Sequence, residues 1–166
     1  MPAPLSRPPL RALIASGLTL AVLDGLFAST FFALMNGRTP NPKRLFQAIA
    51  SSLLGPDSFE EGFASMALGV CLHVSVAFAW SAIFFIALRQ SERLRALLGS
   101  LAAAIAFALV YGACIWPFMN NAFMLLTRST PMPWGTNYVY MWLAHAIMIG
   151  PLIVLIQRAM TKRAEG

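Results

Sequence analysis

The sequence predicts an all-α integral membrane four-helix bundle, with an interfacial amphipathic helix between its first two spans. Three observations predict it. Four apolar runs, at about residues 12–35, 62–88, 96–118 and 137–156, each reach the roughly 20 residues that a bilayer crossing needs. Those runs together contain one formally charged residue, Asp24. The chain of 166 residues is 58% hydrophobic and 11% charged, too little polar surface for a water-soluble domain of that size. Such a bundle uses nearly the whole of residues 1–166, so one transmembrane domain is expected, with flanks too short to fold alone.

The first run follows Arg7 and Arg11. It is longer than a signal-peptide core of about 7–15 residues, and no Ala-x-Ala site closes it, so it reads as a retained helix. The next segment, 42–54, has helical signals. Pro42 suits a helix start, Leu45, Ile49 and Leu53 recur at four-residue steps, and Gly55-Pro56 stops it. Lys43, Arg44, Gln47, Ser51 and Ser52 supply its polar positions, as on a membrane surface or folded back on the bundle. Ser58-x-x-Glu61 then reads as a capping box opening the second span, with Asp57, Glu60 and Glu61 at the positive helix end.

A short basic turn, Arg89 to Arg95, makes the second and third spans antiparallel neighbours. The last connection holds Asn120, Asn121, Thr127, Ser129, Thr130, Pro131 and Pro133, a composition that prevents regular helix. Asn120 and Asn121 are candidate polar residues at the outer mouth. Lys and Arg collect unevenly. Arg7, Arg11, Arg89, Arg93, Arg95, Arg158, Lys162 and Arg163 fall on one side, against Arg38, Lys43, Arg44 and Arg128 on the other. Positive charge favours the cytoplasm, so both termini are expected there. Trp116, Trp134, Tyr138, Tyr140 and Trp142 would form an outer aromatic belt. This distribution accounts for the net charge of +6 without nucleic acid, for which no basic and aromatic platform exists.

Lipid is as apolar as leucine, so close backbone approach must drive helix association. Small residues recur at four-residue steps as Gly17, Ala21, Gly25, Ser29; as Ala67, Cys71, Ser75, Ala79; and as Ser100, Ala104, Ala108, Gly112. The fourth span has only Ala146 and Gly150, so spans one to three should pack tightly, with the fourth peripheral or facing a second copy. Cys71 and Cys114 lie inside spans without CxxC spacing, which suits packing rather than a disulfide or zinc.

Asp24 needs explaining, since a charge at mid-bilayer costs about 2.5–3.5 kcal/mol on insertion scales. No span offers it Lys or Arg. Counted from the outer ends, Asp24, His73 and His145 fall within one helical turn of depth. Ala21, Gly25 and Ala28 turn Asp24 inward, and Gly69 and Ala77 do so for His73, which is expected to be its nearest titratable neighbour. The bulky face of His145 is ambiguous. These three form a candidate intramembrane polar cluster. An interhelical pair fixing register, a proton, ion or solute path, and a b-type haem or metal held by His73 and His145 all follow from such a layer.

Enzyme templates fail: there is no GxSxG, HExxH, CxxC, P-loop or paired-carboxylate arrangement. The expected protein is non-enzymatic, with a structural or accessory role and without catalytic residues, metal or cofactor; the alternatives are a small transporter or ion- or proton-conducting protein using Asp24 and His73, and a redox protein holding b-type haem or metal through His73 and His145. Its expected partners are the lipid bilayer and either further copies or another membrane protein.

Arg44-Leu-Phe-Gln-Ala-Ile-Ala-Ser-Ser-Leu-Leu-Gly55, Ala67-Leu-Gly-Val-Cys-Leu-His73, Asn120-Asn121, Leu23-Asp-Gly25, and His145 with Gly150-Pro151 together resemble a family of small bacterial inner-membrane proteins with four predicted helices. The resemblance implies a multi-pass inner-membrane location. It assigns no activity.

Overall fold

The computed structural model describes residues 5–123, 127 and 130–164. Arg128 and Ser129 of the last connection lie outside the described residues. Four helices are long and apolar enough to span a membrane: α1 (Leu10–Met35), α3 (Phe63–Gln90), α5 (Leu101–Ala122) and α6 (Thr136–Lys162). Between them lie α2 (Pro42–Leu54) and the short α4 (Glu92–Gly99). No strand occurs among the described residues. The lower end of the bundle holds Leu10, Gln90, α4 and Lys162, and the upper end holds α2, Asn120 and Thr136.

The spans run up, down, up, down; α1 packs closely on α3, α5 on α6, and α6 closes against α1. The α3–α5 contact is wide and aromatic. Phe84 meets Phe107 and Tyr111, and the Tyr111 hydroxyl donates to the Trp80 carbonyl at 2.8 Å. The α5–α6 contact is close. A Cβ on Gly112 would strike the His145 carbonyl, and one on Gly150 would strike the Ala108 carbonyl. The fourth span is therefore not peripheral. Gly150 meets Ala108 and Gly112 of α5, and two glycines at one crossing suffice for backbone contact.

The other small rows divide. On α1, Gly17 lies under the Phe78 ring and Gly25 under His73, as their spacing suggests. On α3 the expected row is wrong: Cys71, Ser75 and Ala79 face outward, and the neighbouring stripe Gly69, His73, Ala77, Ser81 faces in. Cys114 is exposed too, so neither cysteine packs in the core. A four-residue row fixes spacing but not which stripe of an all-apolar helix meets protein.

Three spanning helices widen into π turns, at Phe27–Phe31, Phe118–Phe123 and His145–Ile149, all in the upper half. Two have a proline beside them. Pro117 brings no N–H to the Ala113 carbonyl, and the Trp142 indole N–H supplies the missing donor at 2.9 Å. Pro151 follows the α6 turn directly. In α1, Ser29 and Thr30 hydroxyls donate to the Leu26 carbonyl, back-bonds of the kind that compete with the regular ladder and bend helices.

Helix α2 forms over the expected residues. The Asn41 side chain accepts from the Arg44 backbone N–H at 3.0 Å, and Gly55 at φ +80° ends it. Its packing face differs from the expected one. Gln47 is buried and donates to the Phe59 carbonyl, the Gly62 carbonyl and Ser65 Oγ, at 3.4, 3.2 and 3.3 Å. Leu53 is exposed, and Ala50 is wholly buried. The face that meets α3 thus carries Phe46, Gln47 and Ala50, and Gly69 lets the Phe46 backbone in. The Ser58 capping box does not open α3. Residues Pro56–Phe59 form a 3-10 turn, Gly62 takes φ +65°, and α3 starts at Phe63 without a side-chain cap.

The basic lower turn also has structure. Arg95 donates to the Leu88 and Arg89 carbonyls at 3.0 and 2.9 Å, and Arg158 to those of Leu98 and Gly99 at 2.8 and 3.0 Å. Two guanidinium groups thereby cap the C-terminal ends of α3 and α4.

Candidate functional site

Asp24 lies on α1 one turn below the π turn, His73 on the inward stripe of α3, and His145 at the first position of the α6 π turn. The three line one cavity of about 50 Å³. One water needs roughly 10–15 Å³ by the same measure, so the space admits more than one. Leu20, Ala77, Ile115, Met119 and Ile149 complete most of its apolar wall.

Hydrogen bonds fix both imidazoles. His73 Nε2 lies 2.9 Å from the Ala21 carbonyl oxygen. A carbonyl only accepts, so Nε2 carries the proton and donates it. The other ring nitrogen, Nδ1, stands 3.9 Å from Asp24 Oδ2. This is an ion-pair distance, too long for a direct hydrogen bond. His145 Nδ1 donates to the Met141 carbonyl at 2.7 Å, which leaves Nε2 as its basic nitrogen. Asp24 thus faces α3, with His73 beside it, as expected. His145 faces inward, which its bulky sequence neighbours left open. Tyr138, two turns earlier on the regular part of α6, is core, so His145 shares a buried face with it.

Two aromatic residues shape the site. Phe46 of α2 meets the His73 ring edge-on at 5.8 Å and lies over Gly25, closing the Asp24–His73 pair from above. Trp116 lies 5.0 Å from His145 and 5.8 Å from Tyr138, which stacks at 4.2 Å on the exposed Trp134. The expected aromatic belt is therefore split. Trp134, Tyr140 and Trp142 are exposed, while Trp116 and Tyr138 are core. Phe46 escaped sequence reading because α2 was oriented by its leucines. Its spacing from Gln47, the only long polar side chain on the packing face, held the signal.

Asn120 is fully buried but does not line the cavity. Its amide grips the backbone of Met132, donating to the carbonyl at 3.1 Å and accepting from the N–H at 2.8 Å. Asn121 donates to the Pro117 carbonyl at 2.9 Å and the Tyr138 hydroxyl at 3.3 Å. The pair ties the last connection to α5 and α6. Among the described residues, no group of three or more His, Cys, Asp or Glu side chains is arranged to hold a metal ion.

Four apolar spans around a half-buried polar layer define the chain as a multi-pass helical membrane protein in build. No protein-family model, curated protein or solved structure matches it.

Proposed function

We propose that this chain is a non-enzymatic, multi-pass protein of the bacterial cytoplasmic membrane, with both termini cytoplasmic, that takes up and releases protons at Asp24, His73 and His145. The carrying observation is the shared cavity. It brings the lone intramembrane carboxylate and both histidines to one water-sized space. With Nε2 of His73 committed to Ala21, its Nδ1 edge faces Asp24. A charged Asp24/His73 pair and its neutral counterpart then differ only by one proton moved between these two groups. His145 Nε2 is a third acceptor at the same cavity.

The eight basic residues at the lower end support the orientation, and the family resemblance supports the bacterial location. Haem has less support. Bis-histidine ligation through Nε2 would break the His73–Ala21 bond, and the cavity is water-sized. The second reading is architectural: the His73–Ala21 bond joins α3 to α1, as a register-fixing contact would, in an accessory protein that serves lipid, further copies or another membrane protein.

Proteoliposomes with an interior pH dye and a potassium diffusion potential test the proton reading. Protein-dependent acidification lost in Asp24→Asn supports it. Wild-type protein no leakier than empty vesicles, or Asp24→Asn protein equal to wild type, overturns it.

A further inference from the structure

The inward faces of α1 and α3 repeat one pattern. On α1, Asp24, Leu20 and Ser16 follow at four-residue steps; on α3, His73, Ala77 and Ser81 do the same in the opposite direction. Leu20 and Ala77 are buried and line the cavity. One further turn down lie Ser16 and Ser81, both fully buried. On α6 the cavity residues His145 and Ile149 are followed by Ile153 and then Gln157, again fully buried. Eight residues at 1.5 Å each place Ser16 and Ser81 about 12 Å below Asp24 and His73.

The lower layer is joined across three helices. Gln157 Nε2 donates to Ser16 Oγ at 3.0 Å and to the Ser81 carbonyl at 2.9 Å. Those bonds fix the amide, because its oxygen could not face a carbonyl. Ser16 Oγ donates to the Leu13 carbonyl at 3.1 Å. Two polar atoms remain. Gln157 Oε1 and Ser81 Oγ are buried and have no hydrogen-bond partner among the described residues. One is an acceptor and the other a hydroxyl, so both are matched by a molecule that donates and accepts. A bundle interior in lipid does not leave such groups unpaired without cost.

We propose that Ser16, Ser81 and Gln157 form an internal water site, a second polar station below the Asp24 cavity, separated from it by an apolar plug of Leu20, Ala77 and Ile153. Water there donates to Gln157 Oε1 and accepts from Ser81 Oγ–H. As a stage on a proton path the station rests on the function proposed above; as a water site it does not. The plug is the kind of narrow apolar constriction that gates by dewetting.

Two measurements on the full chain in lipid nanodiscs and vesicles test it. Water-to-protein magnetisation transfer in NMR reads the Gln157 side-chain amide. A water cross-peak, lost in Ser81→Ala, is the expected result. Its absence in the wild type overturns the site. Ser81→Ala is also read by melting. Removing a hydroxyl with no partner should leave Tm unchanged or raise it, so a lower Tm supports a bound water and an unchanged or higher one counts against it. Acidification in proteoliposomes tests the path. Ser81→Ala should slow it several-fold, and Leu20→Ala should raise it. A cross-peak with unaltered flux in both variants removes the station from the path. Wild-type vesicles without flux remove the proton reading, and the cross-peak then decides the water site alone.

Discussion

Gly112 of α5 lies directly against the carbonyl of His145, so the side chain that closes the polar cavity is set in place by a residue with no side chain. The facing pair Gly150 and Ala108 repeats the contact one turn away. Backbone at that crossing touches backbone, and neither partner can rotate aside.

Gly112→Ala should therefore be costly. Alanine gains about 1 kcal/mol of helix propensity over glycine, but overpacking against fixed backbone costs about 1–3 kcal/mol or more. Gly17→Ala is the control, because its added carbon would meet the Phe78 ring at 2.8 Å, a side chain rather than backbone. Melting in detergent should show a clearly larger loss for Gly112→Ala than for Gly17→Ala. Equal losses would contradict the α5–α6 contact.

Asn120→Ala should release the last connection. It removes both bonds to Met132 and leaves a backbone N–H unpaired, at a cost of about 1–3 kcal/mol. The Trp134–Tyr138 stack sits on the same segment. Tryptophan emission should shift, and protease cleavage near residue 130 should quicken. Asn120→Asp keeps the acceptor and should recover part of the effect. Unaltered proteolysis in Asn120→Ala would show that the clamp does not hold the loop.

How much of this was legible in the sequence depends on whether a residue's neighbours were local. The four spans, α2 and the depth of Asp24, His73 and His145 follow from composition and counting along one helix. The orientation of each helix does not. Cys71, Ser75 and Ala79 looked like a packing row because α3 is apolar all round, and nothing in its own sequence marks the stripe that meets α1. The bulky partners on α6 left His145 open, because nothing in that helix's own sequence marks Tyr138 as core rather than belt. Gln157 falls one residue beyond the fourth apolar run, so span composition alone does not single it out. Its partners, Ser16 and Ser81, are 141 and 76 residues away.

Topology is open to direct measurement. A reporter fused after residue 164 should report the cytoplasm, since eight basic residues collect at that end. Cysteine-free protein with single labels on α2 and on the turn after it adds the second coordinate. Leu53, exposed on α2, should be quenched by lipid-borne nitroxide, and Asp57 by water-borne reagent. A periplasmic C-terminus would invert the assignment, and a water-quenched Leu53 would lift α2 off the membrane surface.

Asp24→Asn separates architecture from chemistry. Asparagine keeps the size and polarity of aspartate and removes the cost of an ion in the bilayer. His73 keeps its Ala21 bond, since that bond uses Nε2. Insertion and melting should therefore be unchanged or improved under either reading. His73→Phe differs: it deletes the bond between α3 and α1 and leaves Asp24 without its nearest partner. It should lower Tm, with a loss of about 1–3 kcal/mol for the unpaired buried polar group. The double variant, Asp24→Asn with His73→Phe, should be less destabilised than the sum of the two single changes, because asparagine tolerates the missing imidazole better than a carboxylate does. If the pair only sets register, Asp24→Asn leaves any cellular phenotype intact while His73→Phe abolishes it through folding. If the pair moves protons, Asp24→Asn protein folds fully and the phenotype is lost. Strict additivity of the two changes would mean that Asp24 and His73 do not interact; the proton reading would then fall, and the His73–Ala21 bond alone would carry the register.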